Sequence, residues 1–215
     1  MTILDFLLFT AIGYVSGSVL WSRYIPLLFA GTDIVKISRD HNPGTSNVMK
    51  HCGVFLGMIC LVLDLAKGFV PVFFALKAVD EWNNLFAFIM AAPVVGHAYS
   101  CFNGFKGGKA IATTFGVLIA LYPKYKLILI LCSVYILTAL DHRIQPNEKK
   151  TVLTFASLLF FTLVYELFLG LPLSMLIGMV IIDIVVIHKN RDHIIYGNKK
   201  EELADEDTGS DRHAE

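Results

Sequence analysis

Charge is scarce in this sequence. Only 17% of its 215 residues are Asp, Glu, Lys or Arg, against about 25% in soluble domains. Lys and Arg do not outnumber Asp and Glu, and the formal net charge is zero. A disordered chain and a nucleic-acid binder are both excluded on that basis, and a soluble globular enzyme is disfavoured. No Lys or Arg precedes position 23. The apolar start therefore lacks the basic leader of a secretory signal and reads as a first membrane span. Cysteine is sparse too. Cys52, Cys60, Cys101 and Cys132 form no C-x-x-C pair and no metal-type spacing, so they read as reduced packing residues. There is no G-x-S-x-G elbow, no H-E-x-x-H and no carboxylate-rich cluster. Neither a serine hydrolase nor a metal site is expected.

What is present is apolar: 55% of residues are hydrophobic, with sixteen Phe and a mean hydropathy of +0.63. This is the composition of a membrane protein crossing the bilayer several times. A hydrocarbon core of about 30 Å needs roughly 20 residues of apolar helix. Segments 3–29, 53–77, 84–102, 126–140, 151–169 and 172–188 are the candidates. A seventh, 109–122, is shorter, about 21 Å at the helical rise of 1.5 Å per residue. Basic residues decide whether it crosses. With seven spans, Lys36, Arg39, Lys50, Lys106, Lys109, Arg143, Lys149, Lys150, Lys189, Arg191, Lys199, Lys200 and Arg212 share one side, and Lys77, Lys124 and Lys126 lie opposite. With six, the charges divide almost evenly. The positive-inside rule selects seven. The expected fold is an all-α polytopic membrane helix bundle of seven transmembrane helices, N-terminus outside and C-terminus cytoplasmic. Residues 1–197 form one integral-membrane domain and 198–215 a polar cytoplasmic tail, disordered or frayed.

Polar groups interrupt this pattern in four places, all on the cytoplasmic side of the seven-span arrangement. The segment from Gly31 to Cys52 centres on Asn42-Pro43-Gly44, with Thr45, Ser46 and Asn47 following as caps for a short helix. Its amides, hydroxyls and backbone N–H groups suit an anion, although an ordinary loop has the same composition. Asp64 and Lys67 stand three apart on one helix face inside a span. They either wall a site or form an internal pair that fixes packing. The block Phe102-Asn103-Gly104-Phe105-Lys106-Gly107-Gly108-Lys109 places two glycines between two lysines at the start of a helix. Glycine admits close approach of a ligand, and helix N–H groups and ammonium groups favour phosphate. It is not a Walker A loop, because Ala110 follows the lysine. His97 nearby is a candidate base. His188 to His193 closes the last span, either as a plain helix end or as cover for the same cavity.

These motifs resemble the bacterial PlsY-type acyl-phosphate:glycerol-3-phosphate acyltransferase family. The central match is G-H followed by F-x-G-F-K-G-G-K-x-x-A-T, here Gly96-His97 and Phe102 to Thr113. D-x-x-K-G-x-x-P-V from Asp64 to Val72 and N-P-G-x-x-N-V from Asn42 to Val48 join it. The chain departs from the family pattern in its first motif, where Val35 stands for an arginine and the G-S-G is missing; Arg39 or His41 is the expected substitute. In the last motif Asn190 and Gly197 match, His188 is one residue late, and Arg191, His193 and Lys199 replace the family residues.

The resemblance implies transfer of a fatty acyl group from acyl phosphate to glycerol 3-phosphate, giving lysophosphatidate and phosphate in phospholipid biosynthesis. It implies a multi-pass protein of the bacterial inner membrane, a site facing the cytoplasm, and no cofactor. Gly107, Gly108, Lys106 and Lys109 are expected to hold the acyl phosphate, with Lys109 and His97 catalytic. Asn42, Gly44, Thr45, Ser46, Asn47, Arg39 and Asn190 are expected to bind substrate, and Asp64, Lys67 and His188 to wall the site. The alternatives are a divergent paralogue with another acceptor and an organophosphate or anion transporter. A transporter of this kind calls for a second glycine-broken span in the other half; the sequence has only the one glycine-lysine break, which disfavours that reading.

Overall fold

The computed structural model describes residues 2–210, with side chains to Arg191. Every regular element among the described residues is helical. The chain runs α1 (Ile3–Ser18), α2 (Trp21–Ala30), α3 (Ile34–Ile37), α4 (Thr45–Cys52), α5 (Val54–Ala78) and α6 (Phe86–Ala98). A 3-10 turn at Cys101–Asn103 precedes α7 (Ile111–Leu121), α8 (Leu127–Leu140), α9 (Asn147–Leu169) and α10 (Leu173–Ser210).

Five stretches are long and apolar enough to cross a bilayer: Ile3–Ala30, Val54–Ala78, Phe86–Asn103, Asn147–Leu169 and Leu173–Arg191. Ile111–Leu121 and Leu127–Leu140 are apolar but shorter. Leu4, Phe55, Phe74, Leu137, Phe160, Leu167 and Phe168 point outward and are exposed, a surface suited to lipid. Inside, Phe86, Leu118, Leu131, Phe155, Leu158 and Met175 are fully buried.

Two helix pairs approach closely through reciprocal glycines. A Cβ on Gly17 of α1 would lie 2.0 Å from the Pro93 carbonyl oxygen of α6, and one on Gly96 of α6 would lie 2.2 Å from that of Tyr14. The pair α5 and α7 repeats the device: a Cβ on Gly68 would lie 2.3 Å from the Thr113 carbonyl oxygen, and one on Gly116 would lie 2.0 Å from that of Leu65. Lipid offers no hydrophobic drive between helices, so backbone-to-backbone contact of this kind holds them.

The first apolar stretch is not one helix. The expected span 3–29 breaks at Val19–Leu20 between α1 and α2. A break in hydrocarbon frees carbonyl groups that need donors. Here the Ser100 hydroxyl donates to Ser18 O at 2.6 Å and Lys67 Nζ to Val19 O at 2.7 Å. At the other end of the sequence, α10 carries the backbone on to Ser210, so 198–210 runs as helix where a disordered or frayed end was expected. Lys, Glu, Leu and Ala at 199–204 are good helix formers. Residues 211–215 lie outside the described residues.

At the end of α6 remote from His97, Glu81 ties three connections together. Its carboxylate accepts from Lys124 and, at 3.4 Å, from the Tyr125 hydroxyl, and its carbonyl accepts from Ser174 at the start of α10.

Candidate active site

α5 contributes the deepest charges. Lys67 Nζ lies 2.8 Å from Asp64 Oδ1, and both side chains are 2% exposed. The helical three-residue offset makes the pair, and the α1–α2 break completes it through Val19 O. Ser22 of α2 donates to Asp64 Oδ2 at 2.6 Å and lies 3.3 Å from the Thr45 hydroxyl of α4. Asp64 and Lys67 thus bind α1, α2 and α5 into one unit, and Thr45 rests on that unit.

The glycine-lysine loop lies against the end of α6. Gly108 N donates to the His97 carbonyl at 3.0 Å. A Cβ on Gly107 would fall 1.9 Å from the same oxygen. A Cβ on Gly108 would fall 2.4 Å from His97 Nε2 and 3.0 Å from Asn42 Oδ1. A side chain at Gly107 would run into backbone and one at Gly108 would have to displace the His97 ring, and His97, Gly108 and Asn42 converge on one spot. His97 and Asn42 are buried, and His97 Nδ1 and Asn42 Oδ1 are buried without a hydrogen-bond partner. The loop does not pass straight into a helix as the sequence suggested. Ala110 takes a left-handed conformation with φ of 59°, and α7 starts only at Ile111. The glycine pair lies in a loop packed on His97, not in the first turn of α7, and the Gly108 N–H is taken by the His97 carbonyl.

The polar segment meets this loop through side-chain amides and carboxylates. Asn47 donates to Asn42 O at 2.9 Å and to Asp40 Oδ1 at 2.8 Å. Asp40 Oδ2 and Glu148 Oε1 of α9 each lie 2.7 Å from Lys109 Nζ. Asn42, Asn47, Gly107, Gly108, His97 and Lys109 are therefore brought into one contiguous cluster. Gly44 caps α4 in an extended conformation, 2.6 Å from the Asn42 amide nitrogen measured from an added Cβ. Ser46, Arg39 and Lys106 are exposed.

At the last motif, Asn190 is buried and donates to Val186 O at 2.8 Å, leaving its Oδ1 without a partner. His188 is exposed, with Nδ1 3.2 Å from the Tyr99 hydroxyl, and Lys189 Nζ lies 4.6 Å from the Tyr99 ring centre. Tyr14 donates to Tyr99 O at 2.8 Å. The end of α10 is thereby docked on the end of α6. The side chains of His193, Gly197 and Lys199 lie outside the described residues. Asp183, two turns before Asn190, is fully buried with both carboxylate oxygens lacking a hydrogen-bond partner.

Sequence reasoning missed Asp40, Glu148, Arg23, Ser22 and Ser100. Arg23 had a signal: a guanidinium inside an apolar span is a functional-site candidate by default. It donates from Nη1 to Asn103 Oδ1 and sets Nη2 3.4 Å from Asp33 Oδ2. Glu148 had none, since an acid in the first turn of a helix is commonplace. Among the described residues no group of three or more His, Cys, Asp or Glu is placed to hold a metal ion.

A family model described as glycerol-3-phosphate acyltransferase matches residues 7–197. The chain is 37% identical over 184 residues to glycerol-3-phosphate acyltransferase 1 of Thermotoga maritima, covering 79% of this chain and 86% of that protein. It is 34% identical over 186 residues to the glycerol-3-phosphate acyltransferase of Solidesulfovibrio magneticus, covering 86% of this chain and 88% of that one. Among solved structures it is similar to the glycerol 3-phosphate form of PlsY (YgiH), an integral membrane glycerol 3-phosphate acyltransferase. The TM-score is 0.76 at 28% identity, over 88% of this chain and 90% of that one. The lysophosphatidic acid form of the same enzyme gives a TM-score of 0.74 at 28% identity, over 88% of this chain and 89% of that one.

Proposed function

The chain belongs to the glycerol-3-phosphate acyltransferase family, and on that premise we propose how its residues carry the reaction. It is a membrane-embedded acyltransferase that acylates glycerol 3-phosphate in phospholipid synthesis. The donor is an acyl phosphate. The protein lies in the bacterial inner membrane with seven spans, the N-terminus outside, and the site facing the cytoplasm. The asymmetric distribution of lysine and arginine supports that orientation, and the shorter α7 and α8 supply the remaining two crossings.

The observation that carries the mechanism is the convergence of His97 Nε2, Gly108 and Asn42 Oδ1 on one spot. An acyl phosphate is already a mixed anhydride, so no acyl-enzyme is required. The acceptor hydroxyl oxygen attacks the acyl carbon, forming the ester C–O bond, and the bond from that carbon to the phosphate oxygen breaks with its electron pair going to phosphate. The hydroxyl proton passes to His97 Nε2, and the departing phosphate is the competing acceptor for it. Gly107 and Gly108 let the donor's phosphate come against the loop backbone, and Lys109 stabilises the charge that develops on the leaving oxygens. Holding both substrates in register removes part of the entropic barrier, within a ceiling of roughly 7–11 kcal/mol. Asn42 and Asn47 shape the wall opposite His97, Asn190 closes it from α10, and the acyl chain lies between helices open to the bilayer. Asp64 and Lys67 hold the scaffold under Thr45.

The experiment is incubation of purified protein with acyl phosphate and labelled glycerol 3-phosphate. Labelled lysophosphatidate with matching phosphate release is expected; an acyl donor other than acyl phosphate giving the faster reaction overturns the donor assignment.

A further inference from the structure

Two aromatic side chains of the glycine-lysine loop face outward. Phe102 is 56% exposed and Phe105 is 65% exposed. Hydrogen bonds build that exposure in. Phe105 N donates to Ser100 O at 2.8 Å and Lys106 N to Asn103 O at 3.1 Å. Asn103 Nδ2 donates to Lys106 O at 2.7 Å, and the Ser100 hydroxyl ties the turn to Ser18 O at 2.6 Å. Gly104 and Phe105 follow one another with φ of 59° each. Glycine takes that backbone freely, whereas phenylalanine takes it at a cost. In water the ring turned outward would return nothing for that cost. In hydrocarbon the same ring gains burial.

Helix lengths place this turn at membrane depth. α6 has 13 residues and α7 has 11. At the helical rise they span about 20 Å and about 17 Å, against a hydrocarbon core of about 30 Å. The ends of both helices remote from His97 are fixed at a water interface. There Glu81, ahead of α6, pairs with Lys124, which follows α7 and has its side chain 60% exposed, and Trp82 beside them is 64% exposed. An ammonium so exposed belongs in water or among headgroups. Both helices therefore fall short at the His97 end, and 99–110 fills the gap. The apolar stretch Phe86–Asn103 takes in Phe102. α5, which packs on both short helices, has 25 residues and crosses without such a shortfall.

The chemistry of the exposed surface fits lipid. Lys106, next to Phe105, is exposed as well. An outward aromatic ring beside an outward ammonium suits the boundary between acyl chains and anionic headgroups. The turn that carries both is closed by its own hydrogen bonds, so ring and charge are presented together at one level.

We infer that Phe102 and Phe105 insert into the leaflet on the lysine-rich side and hold the glycine-lysine loop at headgroup depth. An acyl donor whose chain lies in that leaflet carries its phosphate at the same depth, so the loop meets it without drawing the chain into water. That consequence rests on the acyl-transfer reading above; the insertion rests on the exposure, the backbone and the helix lengths.

The test is tryptophan fluorescence in vesicles of phosphatidylcholine and phosphatidylglycerol. Phe105→Trp is combined with Trp21→Phe and Trp82→Phe, which remove the native emission. Lipid brominated on its acyl chains is expected to quench the new tryptophan by about half or more, and aqueous iodide by less than about a tenth. Iodide quenching that exceeds quenching by brominated lipid overturns the inference, because the loop then stands in water, where a protein partner would reach it. If the triple variant does not fold, the difference in emission between Phe105→Trp and wild type carries the same comparison. Phe105→Asn removes the ring and keeps a residue that accepts the left-handed backbone, so its unfolding temperature is expected to stay near that of wild type. In vesicles its KM for a long-chain acyl phosphate is expected to rise about tenfold, with the KM for glycerol 3-phosphate within about twofold. A short-chain, water-soluble acyl phosphate is expected to serve both proteins equally. An unchanged KM for the long-chain donor overturns the part given to the loop in meeting it. Wild-type protein that releases no phosphate from acyl phosphate ends the acyl-transfer reading instead, and the fluorescence still judges the insertion.

Discussion

Gly108 donates its N–H to the carbonyl of His97 at 3.0 Å, and the Cβ it lacks would fall 2.4 Å from that residue's Nε2. The loop is thus bonded to the histidine's backbone and packs against one edge of its ring. Gly108→Ala must push His97, Asn42 or the loop aside. A misplacement of about 1 Å at a reacting centre costs roughly 100-fold in rate, so Gly108→Ala is expected to lose turnover by about that factor while inserting and folding normally. Turnover within twofold of wild type, measured by phosphate release, contradicts this use of the glycine.

Lys109 sits between Asp40 and Glu148, 2.7 Å from each. Lys109→Ala removes the cation and leaves two carboxylates facing the incoming phosphate. Turnover is expected to fall by roughly two to three orders of magnitude, the range seen on deleting a donor to a developing oxyanion, with expression unchanged. Glu148→Gln keeps the lysine and removes one competing charge, so the KM for acyl phosphate is expected to fall. A higher KM in Glu148→Gln shows that the carboxylate is needed to place Lys109.

The buried pair of Asp64 and Lys67 gives a stability prediction. Lys67→Met leaves Asp64 as an uncompensated charge and removes the donor to Val19 O. Breaking such a pair costs about 3–5 kcal/mol. Adding Asp64→Asn to Lys67→Met is expected to recover part of that loss, because the orphaned charge goes with it. Thermal unfolding of the three proteins in one detergent reads this directly. A double variant less stable than Lys67→Met alone contradicts it.

The cluster at Glu81 sets an acid limb to stability. Burial acts to raise the Glu81 carboxyl, and the Lys124 ammonium with the Tyr125 hydroxyl outweighs it, so the group titrates below the usual carboxylate range. A carboxyl held low in the folded state contributes stability above its unfolded value and loses it as pH falls through the folded one. Tyr125 is pushed up to about 12 by burial and by the Glu81 charge. Its contribution is full below the ordinary tyrosine value near 10 and disappears as pH rises toward about 12. Glu81→Gln is expected to flatten the acid limb of a plot of unfolding temperature against pH. An acid limb identical to wild type shows that other groups produce it.

The five long apolar stretches were legible in the sequence because lipid imposes a length and a polarity that composition reveals. The break at Val19 was not, because nothing local marks it. It exists because Lys67 and Ser100, 48 and 82 positions away, supply donors to its carbonyls. In the site, the glycine pair between two lysines, His97 and the Asn42 turn were readable as motifs. Their convergence was not, since it depends on a loop doubling back over the end of α6. Asp40 and Glu148 escaped notice because a carboxylate beside a lysine is visible only once a helix 39 positions and a turn 69 positions removed from that lysine have been packed together.

The orientation of the chain is open to a labelling test. A single cysteine placed in 198–215 is expected to resist a membrane-impermeant thiol reagent in intact cells and to react after permeabilisation. Labelling from outside reverses the proposed topology.

The most direct test of the central claim is phosphate release from acyl phosphate by the purified protein, with and without glycerol 3-phosphate. Release that depends on glycerol 3-phosphate, equals the lysophosphatidate formed, and drops in Gly108→Ala is the predicted result. Release that does not respond to glycerol 3-phosphate, or that persists undiminished in Gly108→Ala, contradicts the account of this site.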